Sequence, residues 1–344
     1  MPILSVDDLR GLSQAILEAL GTPGDSARLV SASLVSANLA GHDSHGVRRL
    51  RSYAGLARDG QVHTAARPVV VARHQATAQL DGAWGWGQLA ARLSAQTVIA
   101  MAEEYGVGVA TIEKCNHIGR VGEYVESIAD AGMIGIALCN AGPSVAPYGG
   151  YLRLLGTNPL AWAVPCGSNP ALVLDIATST VAEGKLGVAQ VQGRLVPPGV
   201  IVDRSGQSSL DPAAYYAGGA LLPFGGHKGY GISVMIEALG RGLAGTNTAV
   251  LPDHQAANGV VMLALQVSAF APPERFAEEV EGLSAQIAAA PPAQGASAVL
   301  LPGEPEAIAR QHRLAEGIPV SSTDYTELLA LAGELNVTMS GWQE

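Results

Sequence analysis

An α/β fold arranged in two lobes is what this sequence predicts, from three observations. The first sixty residues carry only helical periodicity. From Pro68 onward short strand patterns take over and then alternate with helical ones. The 344 residues, 48% apolar and 15% charged, are enough to bury a large core and exclude a disordered chain.

The elements follow in order. Ser5 caps a helix with Leu9, Leu12, Ile16, Leu17 and Leu20 on one side, closed by Gly21. Asp25 or Ser26 opens a second, through Val30, Leu34 and Ala37, ending at Gly41. Asp43 and Ser44 are good N-caps for a third, whose apolar positions Val47, Leu50, Tyr53, Ala54 and Ala57 repeat until Gly60. Val69-Val70-Val71 and the alternation from Ala76 to Leu80 predict a hairpin, after which Asp81-Gly82 turns the chain. A helix over 88–105 and a strand over 107–112 come next. Continuous apolar runs predict buried strands over 133–139, 160–164 and 172–175, and a last apolar helix covers 232–243.

Composition excludes several classes of function. A net charge of −10 argues against nucleic acid and against anionic membrane surfaces. No stretch approaches the roughly 20 apolar residues of a membrane span. The start, M-P-I-L-S-V-D-D-L-R, shows neither a basic n-region nor an apolar h-region. Cys115, Cys139 and Cys166 are odd in number and far apart, which fits reduced thiols in a cytoplasmic protein better than disulfides or a zinc site.

Gly85-Trp86-Gly87-Gln88-Leu89-Ala90 matches G-x-G-x-x-A between a strand and a helix, and Glu113 ends the next strand. That pattern imitates a dinucleotide fingerprint with its ribose acid. The preceding strand alternates polar and apolar, whereas a central parallel strand is apolar on both faces. Trp84 and Trp86 also put bulk where backbone has to approach a pyrophosphate. The match is therefore set aside.

The densest chemistry lies in G-H-D-S-H-G-V-R-R-L-R, residues 41–51. On the expected third helix His45 and Arg48 stand three apart and share a face. A fixed guanidinium holds a carboxylate bidentately while a histidine protonates the neighbouring oxygen, which is what reduction of a 2-oxo acid requires. A helix N-terminus would disfavour the imidazolium and tune His45 toward neutral pH. The bland alternative is a surface helix with solvated arginines.

Further motifs sit at element junctions. Asn116-His117-Ile118-Gly119-Arg120 joins a strand to a helix, and Asn140 to Ser144 follows the apolar run ending at Cys139. Gly156-Thr157-Asn158-Pro159 is a tight turn. Asp175-Ile176-Ala177-Thr178-Ser179-Thr180 sets a carboxylate before three hydroxyls, suited to a ribose or a phosphate. Gly225 to Gly231 places Lys228 and several glycines before an apolar helix, a favourable place for an anion. Singly, each is equally a turn with an ordinary cap.

Six of these segments, in order and spanning almost the whole chain, carry a resemblance. They are D-S-H-G-V-R-R-L, N-H-I-G-R, G-T-N-P-L-A, D-I-A-T-S, G-G-H-K-G-Y-G and, from Leu301, L-P-G-E. The chain resembles the malate/L-lactate dehydrogenase type 2 family, which includes sulfolactate, ureidoglycolate and hydroxycarboxylate dehydrogenases and cyclic-imine carboxylate reductases. The hydroxycarboxylate type looks close, through N-H-I-G-R and the V-P-P-G before Asp203.

The resemblance implies a non-Rossmann mixed sheet flanked by helices, a homodimer, and NAD or NADP as hydride carrier. It implies interconversion of 2-hydroxy and 2-oxo acids, with ureidoglycolate dehydrogenase or cyclic-imine reductase as the alternative and a catalytically silent binding protein as the alternative of another class. His45 is implied as proton donor, Ser44 as its relay partner and Arg48 as carboxylate clamp. His117 lines the site and in some members is the base; Thr157 touches substrate. Ser144, Asp175, Ile176, Ala177, Lys228, Gly229, Pro302, Gly303 and Glu304, with His117, are expected around the cofactor. A carboxylate at Asp175 leans the cofactor toward NAD, because it would repel a 2′-phosphate. The last group opens a terminal helix that folds back on the N-terminal ones. The helical lobe is then discontinuous, residues 1–65 plus 303–344, around an α/β core of 66–302.

One position departs from the family pattern. Glu183, before Gly184, stands where a neutral or basic residue is common, beside the substrate. It puts small dicarboxylates such as malate in doubt.

Overall fold

A computed structural model describes residues 1–245 and 257–337. The chain opens with a short strand β1 (Ile3–Leu4) and helix α1 (Val6–Ala19), which Ser5 caps by accepting the Asp8 amide at 3.0 Å. Helix α2 (Gly24–Leu39) starts slightly earlier than expected, at Pro23, and leaves Asp25 in its first turn.

The third helix differs from the expectation. Asp43–His45 is a single 3₁₀ turn, Gly46 is extended, and helix α3 (Arg49–Arg58) begins only at Arg49. The buried Asn38 at the end of α2 is the cause. Its Nδ2 donates to Asp43 at 2.7 Å, and its Oδ1 accepts the Val47 amide at 2.9 Å. A Cβ on Gly46 would lie 2.2 Å from Asn38 Oδ1, so only glycine lets the chain pass. Neither Asp43 nor Ser44 caps α3, and His45 and Arg48 do not share a helix face.

Strands β2 (Val69–His74) and β3 (Thr77–Asp81) form the expected antiparallel hairpin. Helix α4 (Gly87–Tyr105) leads to β4 (Val107–Cys115), then α5 (Gly122–Asp130) and β5 (Met133–Cys139). Strands β6 (Leu160–Cys166) and β7 (Asn169–Ile176) complete that run. An inserted unit holds α6 (Glu183–Val191), β8 (Ile201–Val202), β9 (Ser208–Ser209), α7 (Pro212–Tyr216) and β10 (Ala220–Leu221). Helix α8 (His227–Glu237) runs on into a π turn over Ala238–Leu243. Then come β11 (Asn258–Gln266), α9 (Pro273–Ala288), α10 (Glu304–Glu316), β12 (Ile318–Pro319) and α11 (Ser322–Glu334).

The main sheet has seven strands in the order β2-β3-β4-β11-β5-β6-β7. Only β3 and β4 pair in parallel; every other neighbour is antiparallel. A doubly wound nucleotide fold needs a mostly parallel sheet, so this one is a mixed sheet of another kind. Its central strand β11 comes late in the chain, at an apolar run to which no strand is assigned above. Helices α4 and α5 bury one face of the sheet through Ala91, Val98, Met101, Val125 and Ile128, against Ala110, Ile112, Ala137, Ala161 and Met262.

A second apolar cluster joins both ends of the chain. Leu9, Leu12, Ile16, Leu34 and Leu50 pack with Ile318, Val320, Leu328 and Leu331. Strands β1 and β12 pair antiparallel beside it, Ile3 opposite Pro319. Residues 338–344 of the proposed helical lobe lie outside the described residues. The two-residue strands β8, β9 and β10 form a small third sheet whose core includes Leu155, Leu186, Ile201, Tyr215 and Leu221. Strands that short carry no periodicity, so nothing in the sequence pattern announces them. Among the described residues no helix is long and apolar enough to cross a membrane.

Candidate active site

A cleft of about 1310 Å³ opens where the 3₁₀ turn, the 117–121 loop, the end of β7, the start of α6 and the start of α10 converge. His45 and His117 stand side by side in it, rings stacked at 5.5 Å and 20°. Ser44 Oγ lies 3.0 Å from His45 Nδ1. The Tyr53 hydroxyl, on α3, lies 2.7 Å from His117 Nδ1, and Gln88 Nε2 donates to that same hydroxyl at 2.7 Å. Tyr53 has a single hydrogen to give, and burial pushes its phenol up to about 12. It therefore donates to His117, which leaves the His117 proton on Nε2.

Both imidazoles are neutral. Burial, then the Arg49 guanidinium, then His42 and Arg120, push His45 down to about 3. Burial and then Arg49 push His117 well below the usual histidine range. The shift comes from desolvation and a neighbouring cation, not from a helix N-terminus as the sequence suggests.

Arg49 is the guanidinium nearest this chemistry. Its Nε donates to the Ser44 carbonyl at 2.8 Å, and its charge bears on both histidines. Arg48 also lines the cleft, but its side chain turns to Asp324 of α11 at 3.6 Å. Both arginines therefore line the cleft, Arg49 on the side of the two histidines and Arg48 on the side of α11. Because α3 starts at Arg49 rather than at Asp43, the spacing counted along one helix does not describe how His45 and Arg48 stand to each other.

The loop bearing His117 explains the glycine pattern at Gly85 to Ala90. A Cβ on Gly87 would sit 2.2 Å from the Asn116 carbonyl oxygen and 2.5 Å from that of His117. Asn116 Nδ2 in turn donates to the carbonyls of Trp84 and Gly85 at 2.9 and 3.0 Å. Trp86 is buried, giving its indole N–H to Thr22 Oγ1 at 2.9 Å. Gly87 admits the His117 loop and Gly85 lies against the Ala66 and Gly82 carbonyls, so no pyrophosphate is needed to account for either.

Other residues gather as follows. Ser144, Thr157, Asp175, Ile176, Ala177, Glu183 and Gly184 all line the cleft. A Cβ on Gly184 would meet Ser44 Cβ at 2.6 Å, so glycine there lets α6 close over Ser44 and sets Glu183 beside it. Glu183 is exposed on the cleft wall and faces the Tyr215 phenol, whose ionisation its charge opposes after the larger effect of burial. Arg153 does not pair with it: that guanidinium donates to the Gly219 and Tyr215 carbonyls and lies 4.1 Å from the Tyr215 ring centroid.

Asp175 Oδ2 accepts the first amide of α5, Gly122 N, at 2.8 Å. Burial pushes its carboxyl up, and the adjacent Arg120 opposes that. Arg120 is itself buried and bonded to Glu126 at 2.5 Å.

Not every expected residue joins the cleft. Lys228 is exposed and Gly229 is packed against the Phe224 and Thr178 carbonyls, neither on the cleft wall. Pro302, Gly303 and Glu304 border a separate cavity of about 340 Å³ between β7 and α9, and it is Pro305 and Glu306 that reach the cleft.

Comparison with known proteins places this geometry. The malate/L-lactate dehydrogenase family matches residues 4–329. The chain belongs to that family. It is 32% identical to the L-sulfolactate dehydrogenase of Methanocaldococcus jannaschii over 99% of this chain and 100% of that one. The solved structure of a sulfolactate dehydrogenase from that organism superposes with a TM-score of 0.88, at 32% identity, covering 98% of each chain. The hydroxycarboxylate dehydrogenase B of Escherichia coli is 33% identical over 96% of this chain and 93% of its own. A Δ1-pyrroline-2-carboxylate/Δ1-piperideine-2-carboxylate reductase of Pseudomonas syringae is 32% identical over 96% of each. Family membership agrees with the mixed sheet and with the six motifs, most of which the fold draws to this one cleft.

Proposed function

We propose that the protein is a nicotinamide-dependent oxidoreductase that interconverts 2-hydroxy and 2-oxo acids in this cleft. The carrying observation is the pair of neutral, stacked histidines beside Arg49. In this reading Arg49 binds the substrate carboxylate through its fork. His117, protonated on Nε2 and backed by Tyr53 and Gln88, donates to the substrate oxygen as a neutral imidazole. His45 exchanges the proton. In oxidation its free nitrogen takes the hydroxyl proton while Nδ1–H donates to Ser44. In reduction a bound carboxylate offsets the Arg49 charge and raises the His45 proton affinity.

The residues present fit the cofactor. A volume of about 1310 Å³ exceeds the roughly 300–1,000 Å³ typical of one small-molecule site. Among the described residues, the Asp175 oxygen not bonded to Gly122 makes no hydrogen bond within the chain and can accept from a ribose hydroxyl. The nicotinamide supplies or accepts the hydride when bound. A carboxylate at Asp175 favours NAD over NADP. Initial rates at the reduced-nicotinamide absorbance band test the assignment, using a panel of 2-oxo acids and cyclic imines with each cofactor. Turnover of 2-oxo acids with NADH supports it; turnover of cyclic imines alone supports the reductase reading that the Pseudomonas relative suggests.

The enzyme is further proposed to be a cytoplasmic homodimer. Its three cysteines are free and buried, as suits a reducing compartment. Trp162, on the sheet face that α8 covers only in part, is 46% exposed, and Met235 on α8 is 60% exposed, an apolar area suited to a second copy. A light-scattering mass equal to one chain contradicts the dimer.

A further inference from the structure

The turn that carries Ser44 and His45 is held from outside itself. Within it are only two backbone hydrogen bonds, His45 N to His42 O at 2.9 Å and Gly46 N to Asp43 O at 3.1 Å. Arg49 of α3 holds the Ser44 carbonyl at 2.8 Å, and the ties to Asp43 come from α2 and α10. Arg313, on α10, grips Asp43 with both terminal nitrogens, at 2.6 and 3.1 Å, and gives a further bond to the Asn38 carbonyl. Asn38 in turn bonds Asp43 on one side of the turn and Val47 on the other. Two more contacts from α10 reach the same stretch. Glu306 lies 3.1 Å from His42 Nε2, and Ala309 stands beside Gly41.

Resting on the functional reading above, we propose that Arg313 is a positioning residue that sets the geometry of Ser44 and His45 through Asp43. Its side chain is 16% exposed and is not part of the cleft wall, so it acts on the reaction only through the turn. The fork matters as well as the charge. One guanidinium joins a carboxylate on the turn to the carbonyl at the end of α2, and a lysine ammonium cannot reproduce both planar contacts. Proton transfer tolerates little error in placement, and a shift of about 1 Å in a catalytic group costs roughly 100-fold. The sequence gives no hint of this tie, because 270 residues separate Arg313 from Asp43.

The test combines kinetics with amide hydrogen exchange on the full chain. Arg313→Ala should lower kcat about 10- to 100-fold, leaving the KM for the cofactor nearly unchanged. Arg313→Lys should recover part of that loss. The double variant Arg313→Ala/Asp43→Asn should be no slower than the worse single, because both changes break one linkage. Exchange should quicken over residues 41–47 of Arg313→Ala and stay unchanged in α1 and the main sheet. Unchanged exchange in that turn overturns the proposal, as does quickening throughout the chain or additive losses in the double variant. A wild type with no turnover on any 2-oxo acid defeats the functional reading alone, and the exchange data then decide the tie by themselves.

Discussion

At the scale of single residues, the site is a set of short polar motifs whose partners lie far away. His45, Ser44 and His117 were legible as candidates because the motifs carry them. Tyr53 and Gln88, which fix the His117 proton, were not, since one reads as an apolar helix position and the other as part of a glycine pattern. Arg49 is a second candidate for the clamp that an unbroken helix does not suggest, since α3 begins only there. The choice between Arg49 and Arg48 has a direct check in steady-state kinetics. Arg49→Lys should raise the KM for the oxo acid by about 10-fold or more, whereas Arg48→Lys, whose partner is Asp324, should change it little. Equal effects at both positions restore Arg48 to the clamp. Glu183 makes a smaller contribution than a partly dry pocket would give it, because it is exposed. Its charge should disfavour oxaloacetate against a neutral-tailed 2-oxo acid by only about 2- to 5-fold, the range of a solvent-exposed charge pair. Glu183→Gln should shift the kcat/KM ratio toward oxaloacetate by that amount; an unchanged ratio removes Glu183 from specificity and with it the doubt about malate.

At the scale of elements, periodicity located α1, α2, α4 and the strands β4 to β7, because each buries one face against a large core, but it left α9 and the central strand β11 unassigned. It failed where neighbours decide the structure. The 3₁₀ turn at Asp43–His45 exists because Asn38 takes the groups that a continuous helix would have used. The short strands of the inserted unit are set by pairing alone. The G-x-G-x-x-A segment shows the same dependence, its glycine serving contact with a loop rather than with a ligand. Gly87→Ala should therefore lower stability by more than about 1–3 kcal/mol, the usual cost of overpacking, as the Cβ would meet two backbone oxygens. Cofactor affinity of the folded fraction should be unchanged in a binding titration. Selective loss of that affinity without a fall in melting temperature would return the segment to the cofactor.

At the scale of the whole molecule, four of the six motifs converge on the cleft, and only once β11 is threaded through the middle of the sheet and the chain ends pack together. The family resemblance carries that arrangement; local patterns do not. The buried histidines also tie folding to the chemistry. In the folded chain His45 is held down to about 3 from an ordinary 6.5, and His117 is held low as well. The unfolded chain binds those protons below about pH 6.5, so stability should fall as the pH drops from there, by up to about 1.4 kcal/mol per unit for each histidine. Melting curves of wild type and His45→Asn between pH 7 and 4 check this, with a shallower slope in the variant. Identical slopes would mean that His45 is protonated in the fold. The most direct test of the central claim is the rate of NADH consumption with a neutral-tailed 2-oxo acid in wild type and His45→Ala. The account predicts turnover that falls about 100- to 10,000-fold in the variant with cofactor affinity nearly unchanged. Turnover in His45→Ala close to that of the wild type would contradict it and move the proton to His117.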